Sequence, residues 1–399
     1  FAKFNEVKIA NVPKHIVIVT KEFPPFTRSG GIGTLYYNLA SELLLAGHFV
    51  TIIMQSDKVE TIENGRFRLI ALTKDVGSET YIDDSLIANE ILNWSKRIAI
   101  EIDALNEIHP VSVVDSCLWD SEAYAFSLIN KELNIPLVIR LVTPFLVANE
   151  TNQWNMSSND INYLTNFERK LVENATAVVP ISDSIKKTFI NKYQPSSEVE
   201  YHKINAGIAY WPKYDVARGY KELGTNLSYI SEIIEDKKVF LYMGRVELRK
   251  GIDVFLDAIN VINSQNNMKD VIFLIAGSDT IGIHGMIKER VSNPENIYYI
   301  GEVSDSEREK LYSICDVVVF PSRYESFGLV PLEAFVHAKP VIASNAGAIP
   351  EVVIDNDSGL IFNDGSAEDL ASRIEQLIQK PDLYSKLSLG ASKRGRELS

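Results

Sequence analysis

The sequence has little cysteine, no long hydrophobic run and no excess of basic residues. Its 399 residues include only Cys117 and Cys315, too few for a disulfide framework, so a reducing cytoplasm is the expected compartment. Apolar runs such as VVVF at 317–320 are far too short to span a bilayer, which leaves peripheral membrane contact at most. The formal net charge is −13 and both halves of the chain are acidic, so nucleic acid is not an expected partner.

The chain does have a repeated alternation of short apolar runs and longer helix-period segments. HIVIVT (15–20) and KVFLYMGR (238–245) each begin such a series. This rhythm predicts an α/β fold with doubly wound parallel sheets and helices on both faces. The alternation stops after the first series and begins again with the second. We therefore predict Rossmann-like domains at 1–205 and 237–399. A linker region at 206–236 would join them, and the two domains would face each other across a cleft.

The first candidate site is the glycine-rich loop SGGIGT (29–34), between a strand and a helix. Gly30, Gly31 and Gly33 allow close backbone approach to a ligand and aim helix-start N–H groups at phosphate or sugar oxygens. The match to the dinucleotide fingerprint is incomplete, because Tyr36 stands where its third glycine belongs. A plain glycine-rich turn explains the loop equally well.

The second candidate is GRVELRKG (244–251), directly after a predicted strand. Arg245 and Lys250 flank four residues at a strand-to-helix junction, where two cations could neutralise a diphosphate. Because Arg249 adjoins them, a solvated basic turn is the competing interpretation.

The third candidate is YESFGLVPLE (324–333), after the run VVVFPS. Glu325 would lie at the end of a strand, and the N–H groups of 327–329 would begin a helix and suit a phosphate. Glu333 lies two turns along that helix, where a carboxylate can accept from two neighbouring hydroxyls. The competing interpretation is a helix-start charge followed by a surface acid.

Together these loops resemble those of the retaining GT-B glycosyltransferases of family 4. The segment VFPSRYESFGLVPLEAFVHAKPVIASNAGAIPEVV looks like the family's donor-site core, with Glu325 and Glu333 as its E-x7-E pair. GRVELRKG resembles the Arg-x4-Lys donor-phosphate motif, and FPPFTRSGGIGTLYYNLASELLLAGHFVTII resembles the N-terminal glycine loop and first helix. The resemblance covers most of the chain and is strongest over 238–362.

The resemblance implies roles for individual residues. The catalytic residues would be Arg245 and Lys250, which stabilise the leaving nucleoside diphosphate, and Glu325, which bonds the transferred sugar. Glu333 would bind the ribose hydroxyls. The full implied donor-binding set is Gly31, Gly33, Gly244, Arg245, Lys250, Glu302, Val303, Glu325, Ser326, Phe327, Gly328, Leu329 and Glu333, of which Glu302 and Val303 would contact the base.

The expected chemistry needs neither a metal nor a cofactor beyond the donor substrate. Glycosyl transfer develops negative charge on the departing phosphate, and cations with helix-start amides can stabilise that charge. The Asp-x-Asp at Asp355 and Asp357 is better explained as a polar turn before a strand.

One position departs from the family pattern. Many relatives carry a histidine in the strand-end segment that reads RLVTPF (140–145) here, and this chain has Val142 at that place. In those relatives the histidine reaches the donor sugar. Here Asp120 or Glu122, on the acceptor side, could take that role, catalysis could tolerate the loss, or activity could be impaired. Phe145, Trp154 and Met156 could stack on a sugar or could belong to the core.

The resemblance implies a retaining, hexosyl-type glycosyltransferase in polysaccharide or glycoconjugate biosynthesis. It would move a sugar from a nucleoside-diphosphate sugar, UDP first and GDP next, to a sugar or glycoconjugate acceptor chosen by loops such as 57–65 and 143–160. The alternative is a catalytically silent nucleotide-sugar-binding protein. An NAD-dependent oxidoreductase would share the fold, but its fingerprint is incomplete here.

Overall fold

The computed structural model describes residues 12–27, 30–73, 80–205, 228–265 and 270–398. The chain divides into two compact units, Phe1–Ala206 and Gly207–Ser399. Most of the predicted linker, 206–227, lies outside the described residues, and a short helix at Ser228–Ile233 follows it. Each unit is built around a sheet with helices, so the predicted α/β class with two parallel-sheet units is confirmed.

The first unit contains seven described strands and six described helices. The strands are β1 (His15–Val19), β2 (Phe49–Gln55), β3 (Glu60–Asn64), β4 (Phe67–Leu72), β5 (Val113–Cys117), β6 (Leu137–Leu141) and β7 (Ala177–Pro180). The helices are α1 (Gly31–Leu45), α2 (Leu86–Ile108), α3 (Tyr124–Leu133), α4 (Phe145–Asn152), α5 (Ser158–Asn174) and α6 (Asp183–Tyr193). The strand order is β3-β4-β2-β1-β5-β6-β7, and all neighbours are parallel except β3 and β4.

The antiparallel edge strand is a feature that the sequence analysis missed. The segment 57–65 was expected to be a loop, but it contains β3, which pairs with β4 through Asn64 opposite Phe67. Gly65 is the first of the two turn residues and has a φ of 61°, and glycine at that position favours a tight two-residue hairpin. The segment 143–160 likewise contains the helix α4.

The second unit contains six described strands and eight described helices. The strands are β8 (Lys238–Met243), β9 (Val271–Ala276), β10 (Ile297–Gly301), β11 (Val317–Phe320), β12 (Val341–Ser344) and β13 (Gly359–Phe362). The helices are α7 (Ser228–Ile233), α8 (Ile252–Gln265), α9 (Ile283–Arg290), α10 (Asp305–Ile314), α11 (Leu329–Val336), α12 (Ile349–Val352), α13 (Ala367–Gln379) and α14 (Pro381–Glu397). All strand pairs are parallel, in the order β10-β9-β8-β11-β12-β13. β9 is buried along its whole length, as expected for a parallel strand covered on both faces.

Each sheet has a point where the strand order reverses. In the second unit the chain winds from β8 out to β10, then returns to β11 on the other side of β8. In the first unit the same reversal falls between β1 and β5. Ligands of open α/β sheets bind at the carboxyl ends of strands at such points, so the loops after β8 and β11 and those after β1 and β5 are the candidate sites. Among the described residues, no helix combines the length and apolar character needed to cross a membrane.

Candidate active site

The loops after β8 and β11 touch through their backbones. Gly251 has a φ of 70°, and a Cβ built on it would lie 1.9 Å from the carbonyl oxygen of Pro321. The Arg323 N–H donates to the Arg249 carbonyl at 2.9 Å. A side chain at position 251 would therefore separate the two loops, and glycine is required there. This contact fixes the turn that carries Lys250 against the segment that carries Glu325.

Lys250 and Glu325 form an ion pair at this point of the sheet. The Lys250 ammonium donates to Oε1 of Glu325, and the two side chains are 18% and 12% exposed. Burial pushes the pKa of Glu325 upward, but Lys250 and Arg249 more than offset it, so the pKa falls below its ordinary value. Glu325 is therefore held ionised although it is largely removed from water.

Arg245 and Arg249 have different environments, which the sequence did not distinguish. Arg249 is 16% exposed and donates to Glu247 at 2.7 Å and to the Tyr324 carbonyl at 3.3 Å. Its guanidinium also lies 4.0 Å from Glu325. Arg245 is 60% exposed and lies 3.6 Å from Glu247. Arg249 is thus part of the ion-pair network rather than a solvated turn, while Arg245 presents its charge to solvent.

The segment after Glu325 leads into helix α11. Gly328 has a φ of 102° and immediately precedes the helix, whose first residue is Leu329. Phe327 is buried. The N–H groups that begin a helix lack intrahelical acceptors, so Phe327, Gly328 and Leu329 carry amides suited to an anion, with Ser326 beside them.

Glu333 lies on α11 against helix α10. The Tyr312 hydroxyl donates to its Oε2 at 2.6 Å, and the Arg308 guanidinium lies 3.9 Å from its Oε1. Burial raises the pKa of Glu333 above its ordinary value, although Arg308 and Tyr312 both oppose that change. The sequence analysis identified Glu333 but missed these two partners, because no local spacing connects α10 to α11.

The remaining donor-set residues of the second unit lie at the same edge of its sheet. Gly244 follows β8 with a φ of 144°, and its carbonyl would be 1.9 Å from a Cβ on Gly277. Glu302 and Val303 follow β10, which is separated from β8 by β9. The structure therefore groups Gly244, Arg245, Lys250 and Glu325 at the strand reversal and places the 302–303 loop two strands away.

The glycine loop of the first unit forms the start of helix α1. Gly31 and Gly33 lie in its first turn, and the N–H of Gly30 donates to Glu22 at 2.7 Å. Ser29 of the predicted motif lies outside the described residues. Tyr36 is fully buried and donates to Asp115 at 3.1 Å, so this position supports the sheet instead of admitting a dinucleotide.

The two acceptor-side candidates occupy unlike environments. Asp120 has a φ of 57° and accepts from the Lys21 ammonium at 2.7 Å. Glu122 is 1% exposed and accepts from the Trp94 indole N–H at 2.9 Å, and burial raises its pKa to about 8. Val142 is buried directly after β6.

A cavity of about 290 Å³ lies beside Asp120 in the first unit. We call it the aromatic pocket, since four of its lining residues are Trp94, Trp119, Phe145 and Trp154. Its lining also includes Lys21, Gln55, Ile87, Glu90, Ile91, Asp120, Ser121, Met156, Leu164 and Glu168. Phe145, Trp154 and Met156 thus meet at one cavity, whereas Glu122 supports its wall through Trp94.

The Asp-x-Asp sequence forms a turn. Asp355 accepts from the N–H of Ile361 at 2.8 Å, and Asn356 between the two acids has a φ of 58°. Within the described part of the chain, no group of three or more His, Cys, Asp or Glu side chains is arranged to hold a metal ion.

The fold and the residues at the second sheet's reversal define a class of protein. Residues 226–394 match the family model described as glycosyl transferases group 1, and residues 15–91 match the starch synthase catalytic domain model. The chain is a glycosyltransferase of the GT-B superfamily, as the sequence resemblance predicted.

Similar proteins cover nearly the whole chain. An uncharacterized glycosyltransferase of Methanocaldococcus jannaschii is 23% identical over 396 residues, which cover 94% of each chain. The sucrose-phosphate synthase of Thermosynechococcus elongatus superposes with a TM-score of 0.78 at 21% identity, covering 96% of this chain and 94% of that one. Anabaena HepE, solved in complex with UDP and glucose, superposes with a TM-score of 0.66 at 17% identity, covering 96% and 95%.

Proposed function

We propose that this chain is a retaining glycosyltransferase of family 4 that transfers a hexose-type sugar from a nucleoside-diphosphate sugar. UDP is the first candidate nucleotide and GDP the second. The acceptor is a sugar or glycoconjugate, and the reaction needs no metal. The proposed role is polysaccharide or glycoconjugate assembly. The buried free thiols of Cys117 and Cys315 suit a reducing, cytoplasmic compartment for it.

The observation that carries this proposal is the Lys250–Glu325 ion pair at the strand reversal of the second unit. Its two members come from loops 75 residues apart in sequence, and the Gly251 contact with Pro321 holds those loops together. A buried ion pair needs such fixed geometry, because removing two charges from water is unfavourable. The site thus places a cation and an anion where nucleotides bind in sheets of this kind.

Each charge has a role in the proposed reaction. As the bond from sugar to phosphate breaks, negative charge grows on the leaving diphosphate and positive charge on the sugar ring. Lys250 and the exposed Arg245 would stabilise the diphosphate, together with the amides at the start of α11. The ionised Glu325 would bond the sugar near its anomeric centre. Fixed charges are effective here, since they need no rearrangement during the reaction.

Recognition of the nucleoside falls to residues further from the reacting bond. Glu333 would accept from the ribose hydroxyls, and Glu302 with Val303 would contact the base. The UDP preference is supported by Anabaena HepE, a protein of the same fold whose crystal structure contains UDP and glucose.

A calorimetric panel tests the donor site. UDP, GDP, ADP and CMP are titrated into the protein with and without magnesium. We expect one diphosphate to bind selectively, with the same affinity in both buffers, and the sugar conjugates of that nucleotide to turn over. Proton NMR of the product would then show an anomeric configuration equal to that of the donor. No binding by any nucleotide contradicts the assignment of Arg245, Lys250, Glu325 and Glu333.

A catalytically silent nucleotide-sugar-binding protein is the second candidate. The observation that favours it is Val142, a buried apolar side chain where many family members carry a histidine. Release of nucleoside diphosphate separates the two candidates. The silent protein would bind the donor but release no nucleoside diphosphate, whether water or a sugar is offered as acceptor. The enzyme would release nucleoside diphosphate with at least one acceptor.

A further inference from the structure

The aromatic pocket is walled by segments that are distant in the sequence. Lys21 comes from the loop after β1, and Trp119 and Asp120 come from the turn after β5. Helices α2, α4 and α5 supply most of the rest, with Gln55 from the end of β2 and with Trp154 and Met156 from the connection between α4 and α5. The volume of about 290 Å³ is at the lower end of the range for small-molecule pockets, which suits a single ring.

The ring walls of the pocket are held in fixed positions. Trp154 lies across Trp119, with ring centroids 6.2 Å apart and an interplanar angle of 68°, and 6.4 Å from the Phe145 ring. Trp94 is anchored by its hydrogen bond to Glu122. Trp154 is nevertheless 39% exposed, so part of its indole remains accessible. Aromatic faces of this kind pack against the C–H face of a sugar ring.

Polar groups of the pocket are suited to hydroxyl groups. The Asp120 carboxylate is 33% exposed and bonds Lys21 through one oxygen, while a carboxylate can accept several hydrogen bonds. Glu168 has a different task, because it accepts from the N–H of Phe145 and from the Tyr193 hydroxyl and so holds the start of α4. Hydroxyl binding therefore falls mainly to Asp120 and Lys21.

The charges of the lining disfavour an anionic ligand. The positive charge of Lys21 is offset by Asp120 at 2.7 Å, and Glu90 adds a further acid to the lining. A phosphate entering the pocket would meet carboxylates and a lysine that is already paired. In a partly enclosed site this repulsion is stronger than in bulk water.

We propose that the aromatic pocket binds an uncharged sugar ring and discriminates against phosphorylated sugars. This inference rests on the proposed transferase function. The ring is then the acceptor itself or the part of a glycoconjugate acceptor that fixes its position. The geometry assigns stacking to Trp154 and hydroxyl binding to Asp120. The pocket thereby narrows the acceptor to a neutral glycan.

Tryptophan fluorescence offers a direct test, since three of the chain's four tryptophans line the pocket. The probes are methyl α-glucoside, methyl α-mannoside and methyl α-galactoside, each compared with glucose 6-phosphate. We expect at least one neutral glycoside to change the emission and glucose 6-phosphate to bind more weakly. W154A should weaken glycoside binding by about tenfold, and W154F, which keeps an aromatic face, should retain most of it.

A charge variant tests the discrimination. D120N keeps a residue that tolerates the left-handed backbone at this position but leaves Lys21 without its carboxylate. We expect glucose 6-phosphate to bind D120N about fivefold more tightly than the wild type. The matched control is D103N, an exposed acid on α2 that does not line the pocket.

The outcomes separate this inference from the proposed function. If UDP or GDP binds but glucose 6-phosphate binds at least as well as every neutral glycoside, the inference is wrong and the donor site stands. If a glycoside binds and depends on Trp154 while no nucleotide binds, the sugar pocket stands and the transferase proposal fails. W154A with unchanged glycoside affinity also overturns the assignment, and the far-UV circular dichroism of each variant verifies folding.

Discussion

Glu325 of the second unit and two buried glutamates of the first unit have opposite ionisation behaviour. Glu325 in the second unit pairs with Lys250, and its pKa falls below the ordinary value even though burial opposes ionisation. Glu122 and Glu168 in the first unit are also buried, but they bond an indole N–H, a hydroxyl and a backbone amide. Burial raises the pKa of each to about 8.

The difference shows how a partner's charge decides what a buried carboxyl does. A neutral donor supplies one hydrogen bond, which does not compensate for lost hydration of a charge. At Glu325 the Lys250 ammonium, with Arg249 nearby, does compensate for it. Glu325 is therefore available as an anion for the chemistry we propose, whereas Glu122 and Glu168 are positioned to hold Trp94 and the start of α4. The predictions below test this contrast.

Removing the ammonium of Lys250 should have the largest effect. Lys250→Ala removes a charge that stabilises the leaving diphosphate and leaves Glu325 buried with Arg249 as its nearest cation. We expect the activation barrier to rise by about 3 kcal/mol, which lowers kcat on the order of a hundredfold or more. Steady-state release of nucleoside diphosphate measures it.

The control for this variant is Lys386→Ala, an exposed lysine on α14. It should leave kcat within error of the wild type. A Lys250→Ala protein that folds, binds donor and turns over at the normal rate would remove the ion pair from the proposed mechanism.

Removing the Glu333 carboxylate should act on donor affinity more than on turnover. Glu333→Ala deletes the proposed acceptor for the ribose hydroxyls, and hydrogen bonds to a charged group contribute about 2 kcal/mol, or about 30-fold in Kd. Calorimetry with the selected nucleotide measures the loss. Glu309→Ala is a matched control, because Glu309 lies on the neighbouring helix α10 and pairs with His337 at 3.1 Å. Unchanged nucleotide affinity in Glu333→Ala would contradict the ribose assignment.

The two regions also differ in how far the sequence predicted them. Arg245, Lys250, Glu325 and Glu333 were identified because short motifs after strands place them at the carboxyl edge of a sheet. The strand rhythm likewise predicted the parallel α/β sheets, since buried parallel strands read as continuous apolar runs. Both are local signals that a single segment carries.

The aromatic pocket was not predicted, although some of its residues were noted. Phe145 and Trp154 were equally compatible with core and with sugar stacking, because their neighbour Trp119 lies far away in the sequence. The partners of Glu333 were missed for the same reason, since packing of α10 on α11 brings Tyr312 to it. The edge strand β3 was missed despite a local signal, the glycine Gly65 at the first position of its two-residue turn.

The raised pKa of Glu122 predicts a pH-dependent stability. The pKa of its carboxyl is near the ordinary value of 4.5 in the unfolded chain and about 8 in the folded protein, so between these values the folded state keeps a proton that the unfolded chain has lost. Stability should therefore fall as pH rises from 4.5 to about 8, with no further change from this group above that range. Glu122→Gln replaces the carboxyl with an amide that does not titrate. The free energy of unfolding of this variant, relative to that of the wild type, should therefore rise by up to about 2 kcal/mol between pH 6 and 8.5.

Urea unfolding at the two pH values measures this change. At each pH, the free energy of unfolding of the wild type is subtracted from that of the variant, and the two differences are compared. The contributions of other titrating groups such as Glu168 cancel in each difference. A difference that is the same at both pH values would show that Glu122 is ionised in the folded protein. The contrast with Glu325 would then fail.

The smallest expected effect concerns Tyr312, which acts through Glu333. Tyr312→Phe removes the hydroxyl that donates to Oε2 of Glu333 at 2.6 Å and leaves the ring packed on His337, with centroids 5.7 Å apart. Losing one hydrogen bond should weaken nucleotide binding by about 1 kcal/mol, or about fivefold, with kcat nearly unchanged. A purely structural tyrosine would lower the free energy of unfolding without this change in Kd. The double variant decides between the two roles: if Tyr312 positions Glu333, then Tyr312→Phe has no further effect on nucleotide affinity once Glu333 is alanine, whereas additive losses would mean that Tyr312 acts on the nucleotide by another route.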